Sequence, residues 1–542
     1  MRSASTAVCH MAGRGFAGEV PWYTRWMVAV VDIERAEPAP ATATAPRTAA
    51  VAPPRPAAIS RRALFALAVL SAALRVRYLF APINTDEGGF LAIARAWRHG
   101  KVLYSDVWVD RPQGLLVVYR LWDMLGGGTH GLRVIAIVFG AVAVVAVARL
   151  VALLCTPQAG IVAGLFAAFA SSAPVLEGFS ANGELLGSTL SAVALLLGCS
   201  VVMDRLTPRW MYVAGICGGL AMSMKQSGVD GLAALVAWLL LAIIVGWVPR
   251  RLGVRRLGQL LAGALAVVAA LVIHGALTGW SAWLYAVNGY RTEQRSVFVG
   301  AAWPRFFATA HLARGVLWGL VLAAVIGAAM LILRRHHRRI EPVLFVLPIW
   351  LLTATASFFA GGQFFRHYWV IVTFPVAAIC GSIVGSLSTR RVRVLLIALA
   401  LAPAIWSWWG VTSLSRDRIS VATGGNDRAT RAEHIASWFR GHAAGGDTLY
   451  ALCARADLYA DANTDPPYPY LWFDNVHKVP GAMDELRNLL DSPQRPTYVV
   501  EMQTAKDCDA TGALGRSLDR YYREVTKIDG ISVLQRIGPP TG

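Results

Sequence analysis

The chain has 542 residues, 56% of them hydrophobic and only 15% charged, where soluble domains carry roughly 25%. The formal net charge is +19, but the excess is almost all Arg and clusters in short loops between apolar runs. That placement is a membrane-topology signal and argues against a nucleic-acid partner. The seven Cys show no CxxC pairing, which argues against a zinc or redox motif.

Residues 1–60 are Ala/Pro-rich and cannot bury a core, so they are expected to form a disordered cytoplasmic tail. Their apolar patch near Trp22–Val31 is too short and interrupted to span a bilayer. Met27 is an alternative start; an N-terminus mapped by mass spectrometry to Met1 would contradict it.

Apolar runs near 62–81, 131–155, 158–175, 183–203, 209–224, 228–248, 257–277, 313–333, 342–360, 367–387 and 393–411 predict a polytopic α-helical membrane protein of about eleven transmembrane helices. Arg61-Arg62, Arg250-Arg251 with Arg255-Arg256, Arg334-Arg335 with Arg338-Arg339, and Arg390-Arg391 with Arg393 fall on one side. The positive-inside rule makes that side cytoplasmic. Asp86, Glu87, Asp110, Arg111, Glu177, Glu184, Lys225, Arg366 and His367 then fall at outer helix ends or in outer loops. Glu177 and Glu184 read as ordinary loop and helix-start acids. His336-His337, amid Arg, read as solvated. Arg75 and Arg77, near the outer end of the first span, read as partners for loop carboxylates or lipid phosphates.

The first outer loop, 82–130, is too long for a plain connection. Phe90, Ile93, Ala94 and Trp97 form one apolar stripe. They predict a helix lying in the interface plane, with Trp97 as anchor. Asn84 or Thr85 can cap it, leaving Asp86 and Glu87 in its first turn, where the positive helix end favours their ionised form. A second short helix is expected after Pro112, carrying Leu115, Leu116, Tyr119 and Trp122.

Beyond about residue 412 the composition turns polar. Helix-like 428–442 and 481–490, strand-like Thr448–Leu452 and Thr497–Glu501, and a hairpin around Ile528-Asp529-Gly530-Ile531 predict a small α/β extracytoplasmic domain over 413–542. Cys453 and Cys508 both lie there, where an oxidising compartment permits a disulfide. Tyr468-Pro469-Tyr470-Leu471-Trp472-Phe473 reads as either sugar-stacking surface or core.

Asp86-Glu87, the later Asp110-Arg111-Pro112-Gln113-Gly114, Met224-Lys225-Gln226 at a helix end, and Gly361-Gly362-Gln363-Phe364-Phe365-Arg366-His367-Tyr368 occur in this order on one face. Together they resemble the GT-C membrane glycosyltransferases, and within them family 39, the protein mannosyltransferase and lipid A aminoarabinose transferase-like group. The resemblance covers about 60–415 and implies a GT-C transmembrane domain over 61–412. It implies transfer of a sugar, with inversion, from a polyprenyl-phosphate donor to an acceptor glycan, lipid or protein at the outer face of a plasma membrane. The second loop motif of that group is often Lys-Pro-Pro; here Arg111-Pro112-Gln113 keeps the charge but not the second Pro.

The residue types fit this chemistry. An acceptor hydroxyl needs a base, and a departing phosphate needs cations. Asp86 is the candidate base. Glu87 and Asp110 are candidates for acceptor or metal contact, and Arg111, Lys225, Arg366 and His367 for the donor phosphate. A divalent cation could use oxygen ligands here, though no spacing motif demands one. The competing classes are a transporter or flippase, which would place charges near the bilayer midplane and show repeats, and a non-catalytic envelope assembly protein.

Overall fold

Ser60 opens the first helix: its hydroxyl accepts the Ala63 N–H at 3.2 Å, a side-chain cap for a backbone donor that has no partner within the helix. The computed structural model describes residues 58–293, 295–333, 342–424, 426–453 and 455–538. Most of the expected tail, and His336-His337 with their flanking Arg, lie outside the described residues.

Helix α1 (Arg61–Val76) leads into the long loop, which holds α2 (Thr85–Arg98) and α3 (Gln113–Met124). There follow α4 (Val134–Leu154), α5 (Pro157–Ser171), α6 (Gly183–Val202), α7 (Trp210–Met224), α8 (Asp230–Ile244) and α9 (Arg250–Leu284). A π-turn, Tyr285–Gly289, joins α9 to α10 (Tyr290–Glu293). The bundle closes with α11 (Arg295–Leu333), α12 (Val346–Ala360), α13 (Trp369–Gly385) and α14 (Arg390–Thr412).

Among the described residues, seven helical runs are long and apolar enough to cross a membrane: α4, α6, α9 continued through α10, α11, α12 with the helical turn before it (Pro342–Ala360), α13 with the helical turn before it (Arg366–Gly385), and α14. The other four predicted spans are helices too, but α1 has 16 residues and α5, α7 and α8 have 15 each. That is below the roughly 17–25 a crossing requires. Conversely, α9 and α11 run to 35 and 39 residues, well past the apolar cores at 257–277 and 313–333. Apolarity marks where hydrocarbon lies, whereas a helix continues wherever its backbone stays hydrogen-bonded. Gly279, at φ 125°, kinks α9, a conformation that glycine adopts without a Cβ clash.

The loop helix α2 does not lie in an interface plane. Phe90, Leu91, Ala92, Ile93, Ala94 and Ala96 are all buried, so the helix is enclosed on every side. The predicted stripe faces α3 and the bundle. The opposite face is small, Gly88, Gly89, Ala92 and Ala96, and the C-terminal region packs against it. A Cβ on Gly88 would collide with the Asp457 backbone, and one on Gly89 would lie 2.5 Å from Trp472 Cζ2. Trp97 is no lipid anchor: it meets the His274 ring edge-on at 5.5 Å and carries the Arg120 guanidinium 4.3 Å above its ring.

The C-terminal region begins with α15 (Arg416–Gly424) and α16 (Arg428–His442), then β1 (Leu449–Ala451), α17 (Asp457–Ala462), α18 (Phe473–Lys478) and α19 (Ala482–Asp491). It ends with β2 (Tyr498–Val500), α20 (Ala505–Cys508), α21 (Ala513–Tyr521), β3 (Tyr522–Ile528) and β4 (Ile531–Arg536). The sheet order is β1-β2-β4-β3, with β1 and β2 parallel and the other pairs antiparallel. Asp529 and Gly530 turn the β3–β4 hairpin with φ of 51° and 79°, the positive values that suit a tight hairpin. Cys453 and Cys508 are bridged, with Cα atoms 5.8 Å apart.

The close seat at Gly88 yields a test. Gly88→Ala is expected to destabilise the seat by about 1–3 kcal/mol and to speed limited proteolysis of the C-terminal region in the detergent-solubilised protein. Gly128→Ala, with nothing within 4 Å of its Cβ position, is expected to digest like the parent.

Candidate functional site

Asn84 caps α2: its side chain accepts the Glu87 N–H at 2.8 Å, and the Glu87 carboxylate receives the Asn84 N–H at 3.3 Å. This reciprocal capping box fixes the first turn. Glu87 is buried and fully engaged. Arg133, at the N-terminus of α4, donates to it from Nε at 3.1 Å and from Nη2 at 2.8 Å. The Ala181 N–H adds a bond at 3.0 Å. The remaining Arg133 donors hold the carbonyls of Tyr78, Ala81 and Pro82. All of these partners are protein groups, and they lock the loop to the bundle.

Asp86, one residue earlier, points the other way. Among the described residues one side chain hydrogen-bonds it: the Trp472 indole Nε1–H donates to Oδ1 at 3.0 Å. Burial pushes the Asp86 carboxyl above the usual carboxylate range, against the pull of His367, Arg111 and the Trp472 hydrogen bond. At this position desolvation outweighs the neighbouring cations and the hydrogen bond that favour ionisation.

Facing Asp86 is a cluster drawn from six further segments. Asp110 accepts from Arg111 Nη1 at 2.7 Å and pairs with Arg291 of α10. Burial pushes the Asp110 carboxyl up, but Arg111 and Arg291 outweigh that and hold it below its ordinary range. Burial lowers the Arg111 guanidinium, yet Asp110 and its other anionic neighbours raise it on balance. Lys225, just past α7, pairs with Glu184 at the start of α6, and its Nζ sits 3.2 Å above the Tyr368 ring. His367 lies between two acids, with Nδ1 2.9 Å from Glu177 and Nε2 3.6 Å from Glu184. Gln226 ties the cluster together by donating to the carbonyls of Asp110 at 3.0 Å and Val287 at 2.9 Å.

The structure therefore gathers Asp86, Asp110, Arg111, Lys225 and His367. It leaves Arg366 outside: that guanidinium caps the C-terminal end of α15, donating to the carbonyls of Ala422 at 3.2 Å and Thr423 at 2.5 Å. Glu177 and Glu184, expected to be ordinary acids, are the counter-ions of Lys225 and His367. Arg75 and Arg77, expected to reach carboxylates or lipid phosphates, bind carbonyls instead. Arg75 holds Gly178 and Ser171, which positions the turn bearing Glu177, and Arg77 holds Leu414. Arg291 and the Trp472–Asp86 contact were not foreseen. Arg291 was hidden beyond the apolar end of its predicted span, and the Trp472 contact joins residues 386 apart in sequence. In the aromatic run, Tyr468 and Leu471 are buried as core. Among the described residues no group of three or more His, Cys, Asp or Glu is arranged to hold a metal ion.

A separate cleft of about 740 Å³ opens between α11 and α14, lined mainly by Val175, Leu312, Trp318, Pro403 and Trp406. Val175 belongs to the short turn Pro174–Leu176, which runs directly into Glu177. The cleft is apolar along its length, with His311 and Ser407 as polar exceptions.

Residues 110–274 match the family described as dolichyl-phosphate-mannose-protein mannosyltransferase. No curated protein matches the sequence. Solved structures that share the fold include the following two. ArnT from Cupriavidus metallidurans bound to undecaprenyl phosphate is 14% identical, with a TM-score of 0.59, over 88% of this chain and 98% of that one. The archaeal oligosaccharyltransferase AglB from Archaeoglobus fulgidus, in complex with an inhibitory peptide and a dolichol-phosphate, is 15% identical, with a TM-score of 0.53, over 87% and 74%.

The buried Glu87–Arg133 pair gives the test of this geometry. Glu87→Gln leaves Arg133 as a buried cation without its counter-charge, a loss of about 3–5 kcal/mol. The variant is expected to melt well below the parent in detergent, and an unchanged melting temperature would contradict the bracing role.

Proposed function

We propose that the chain is a membrane glycosyltransferase of the GT-C type, family 39-like, a reading that the family match and the shared fold support, and that it moves a sugar from a polyprenyl-phosphate donor to an acceptor hydroxyl or amine with inversion. The acceptor atom attacks the anomeric carbon while the bond from that carbon to the donor phosphate oxygen breaks. Asp86 takes the acceptor proton, and the bonding pair leaves on the phosphate. Arg111, Lys225 and His367 stabilise the charge that develops there. Because the leaving group is a phosphate, cations can serve in place of the second carboxyl that a glycosidase needs.

One observation carries this reading. A carboxylate that, among the described residues, has a single hydrogen-bonding side chain, Asp86, faces a compact cluster containing Arg111, Lys225 and His367. Its neighbour Glu87 is committed to bracing, so the acidic pair divides into a working acid and a structural one. Arg366 is given no donor role. The apolar cleft beside Glu177 suits a polyprenyl tail whose phosphate reaches the cluster. The basic helix starts Arg61, Arg250 and Arg390 lie at the opposite end of the bundle, which by the positive-inside rule supports a site at the outer face of the plasma membrane. A transporter reading is disfavoured because the charges sit at helix ends rather than the midplane.

Asp86→Asn should lower transfer by at least about 10²-fold while leaving the folded protein intact. The assay uses the lipid-linked sugar fraction extracted from host membranes, and a parent-like rate would remove Asp86 from the base role. The base must be deprotonated, and burial raises its pKa. Activity should therefore be lost as pH falls through that raised value, with the acid limb above the roughly 3.9 of an ordinary Asp. A limb at or below the ordinary value would contradict this assignment. Comparing envelope glycans and lipid-linked sugars with and without the gene would identify the sugar and its acceptor.

A further inference from the structure

We propose that Trp472 is a positioning residue for Asp86, so that the C-terminal region completes the site rather than merely covering it. The proposal rests on the reading of Asp86 as the base.

Three observations converge on it. The first is the indole Nε1–H···Oδ1 hydrogen bond of 3.0 Å, which orients the carboxylate and favours its charged form. The second is the close seat of the indole. A Cβ on Gly89 would lie 2.5 Å from Trp472 Cζ2, and the ring also tilts against Phe90 with centroids 5.8 Å apart. The ring is therefore held by the same helix turn that presents Asp86. The third is the fixed path of the segment that delivers it. Pro469 O accepts the Trp108 N–H at 3.1 Å, and Trp108 packs against Tyr470 at 5.8 Å. Tyr468 O–H then anchors to the Ala482 carbonyl. The segment thus contacts the membrane-side loop immediately before it reaches Asp86.

The groups that surround Asp86 come from every element packed on it. His367 and Glu177 face it from the bundle side and Arg111 from the loop, and Tyr119 from α3. Across the seat of α2 lies the buried Arg455–Asp457 pair, beside Gly88. Glu87, on the same turn, is neutralised by Arg133. Trp472 differs from all of these because it acts through a hydrogen bond without adding charge. Its removal should change how readily Asp86 ionises while leaving the charge count of the cluster alone.

Trp472→Phe keeps an aromatic side chain but deletes the N–H donor, together with the Cζ2 and Cη2 atoms that meet Gly89. In the full-length enzyme, supplied with the lipid-linked sugar fraction of host membranes, kcat should fall about tenfold with KM little changed. The acid limb of the pH profile should move up by about one pH unit. Restoring a donor with Trp472→His should recover part of the loss. A variant that matches the parent in kcat and pH profile overturns the proposal, as does one whose loss appears only as lower folded yield.

A second measurement does not depend on turnover. In 5-fluorotryptophan-labelled protein, the ¹⁹F resonance missing from Trp472→Phe is that of Trp472. It should titrate with Asp86 and lose that titration in Asp86→Asn. A resonance indifferent to both overturns the coupling. If the resonance titrates but the parent transfers no sugar, the coupling stands and the reading of the reaction fails.

Discussion

The site depends on one buried ion pair, Glu87 with Arg133. Taking both charges out of water costs several kcal/mol per ion, and the pair is tolerable only because every remaining donor and acceptor is satisfied. Here the satisfaction is thorough. Arg133 closes the end of the α1 segment through three carbonyls, and Glu87 collects two backbone N–H groups from different loops. A single pair therefore fixes the exit of α1, the entry of α2, the entry of α4 and the approach to α6. With Glu87 held, Asp86 is left on the adjoining helical position, about 100° around the axis, and can face only the charge cluster and the indole that meets it there.

This constraint separates two acids that look equivalent in sequence. It also explains the two glycines that follow. The same turn brings a carboxylate to the cluster on one side and receives the C-terminal region on the other, so the far side has no room for a Cβ. The motif Asp86-Glu87-Gly88-Gly89 is thus a chemical group, a brace and a seat in four consecutive residues. The cations are distributed in a matching way. Arg111 comes from the loop, Lys225 from a helix end, Arg291 from beyond the π-turn and His367 from the entry to α13. None is neighbour to another in sequence, so the cluster exists only when the bundle is assembled.

Much of this was legible from local pattern. The apolar runs located the helices, because hydrocarbon imposes a length and a composition that sequence displays directly. The acidic motif, Lys225 and His367 stood out because charge at a membrane edge is costly. The Asp529-Gly530 hairpin was readable because its turn needs positive φ. What sequence withheld were relations between distant segments. The burial of α2 depended on α17 and Trp472, residues far along the chain. The shortness of α1, α5, α7 and α8 and the overrun of α9 and α11 reflect packing rather than hydropathy. Arg366 and His367 are adjacent and looked alike, yet the backbone turns one toward the carbonyls of α15 and the other toward Glu177 and Glu184.

The most direct measurement is a structure of the protein with bound polyprenyl phosphate. The account predicts phosphate oxygens within about 3 Å of Arg111, Lys225 or His367, the lipid tail in the cleft between α11 and α14, and Asp86 facing the phosphate with Trp472 still donating to it. A phosphate held by Arg366, or bound at the opposite, Arg-rich end of the bundle, would contradict it.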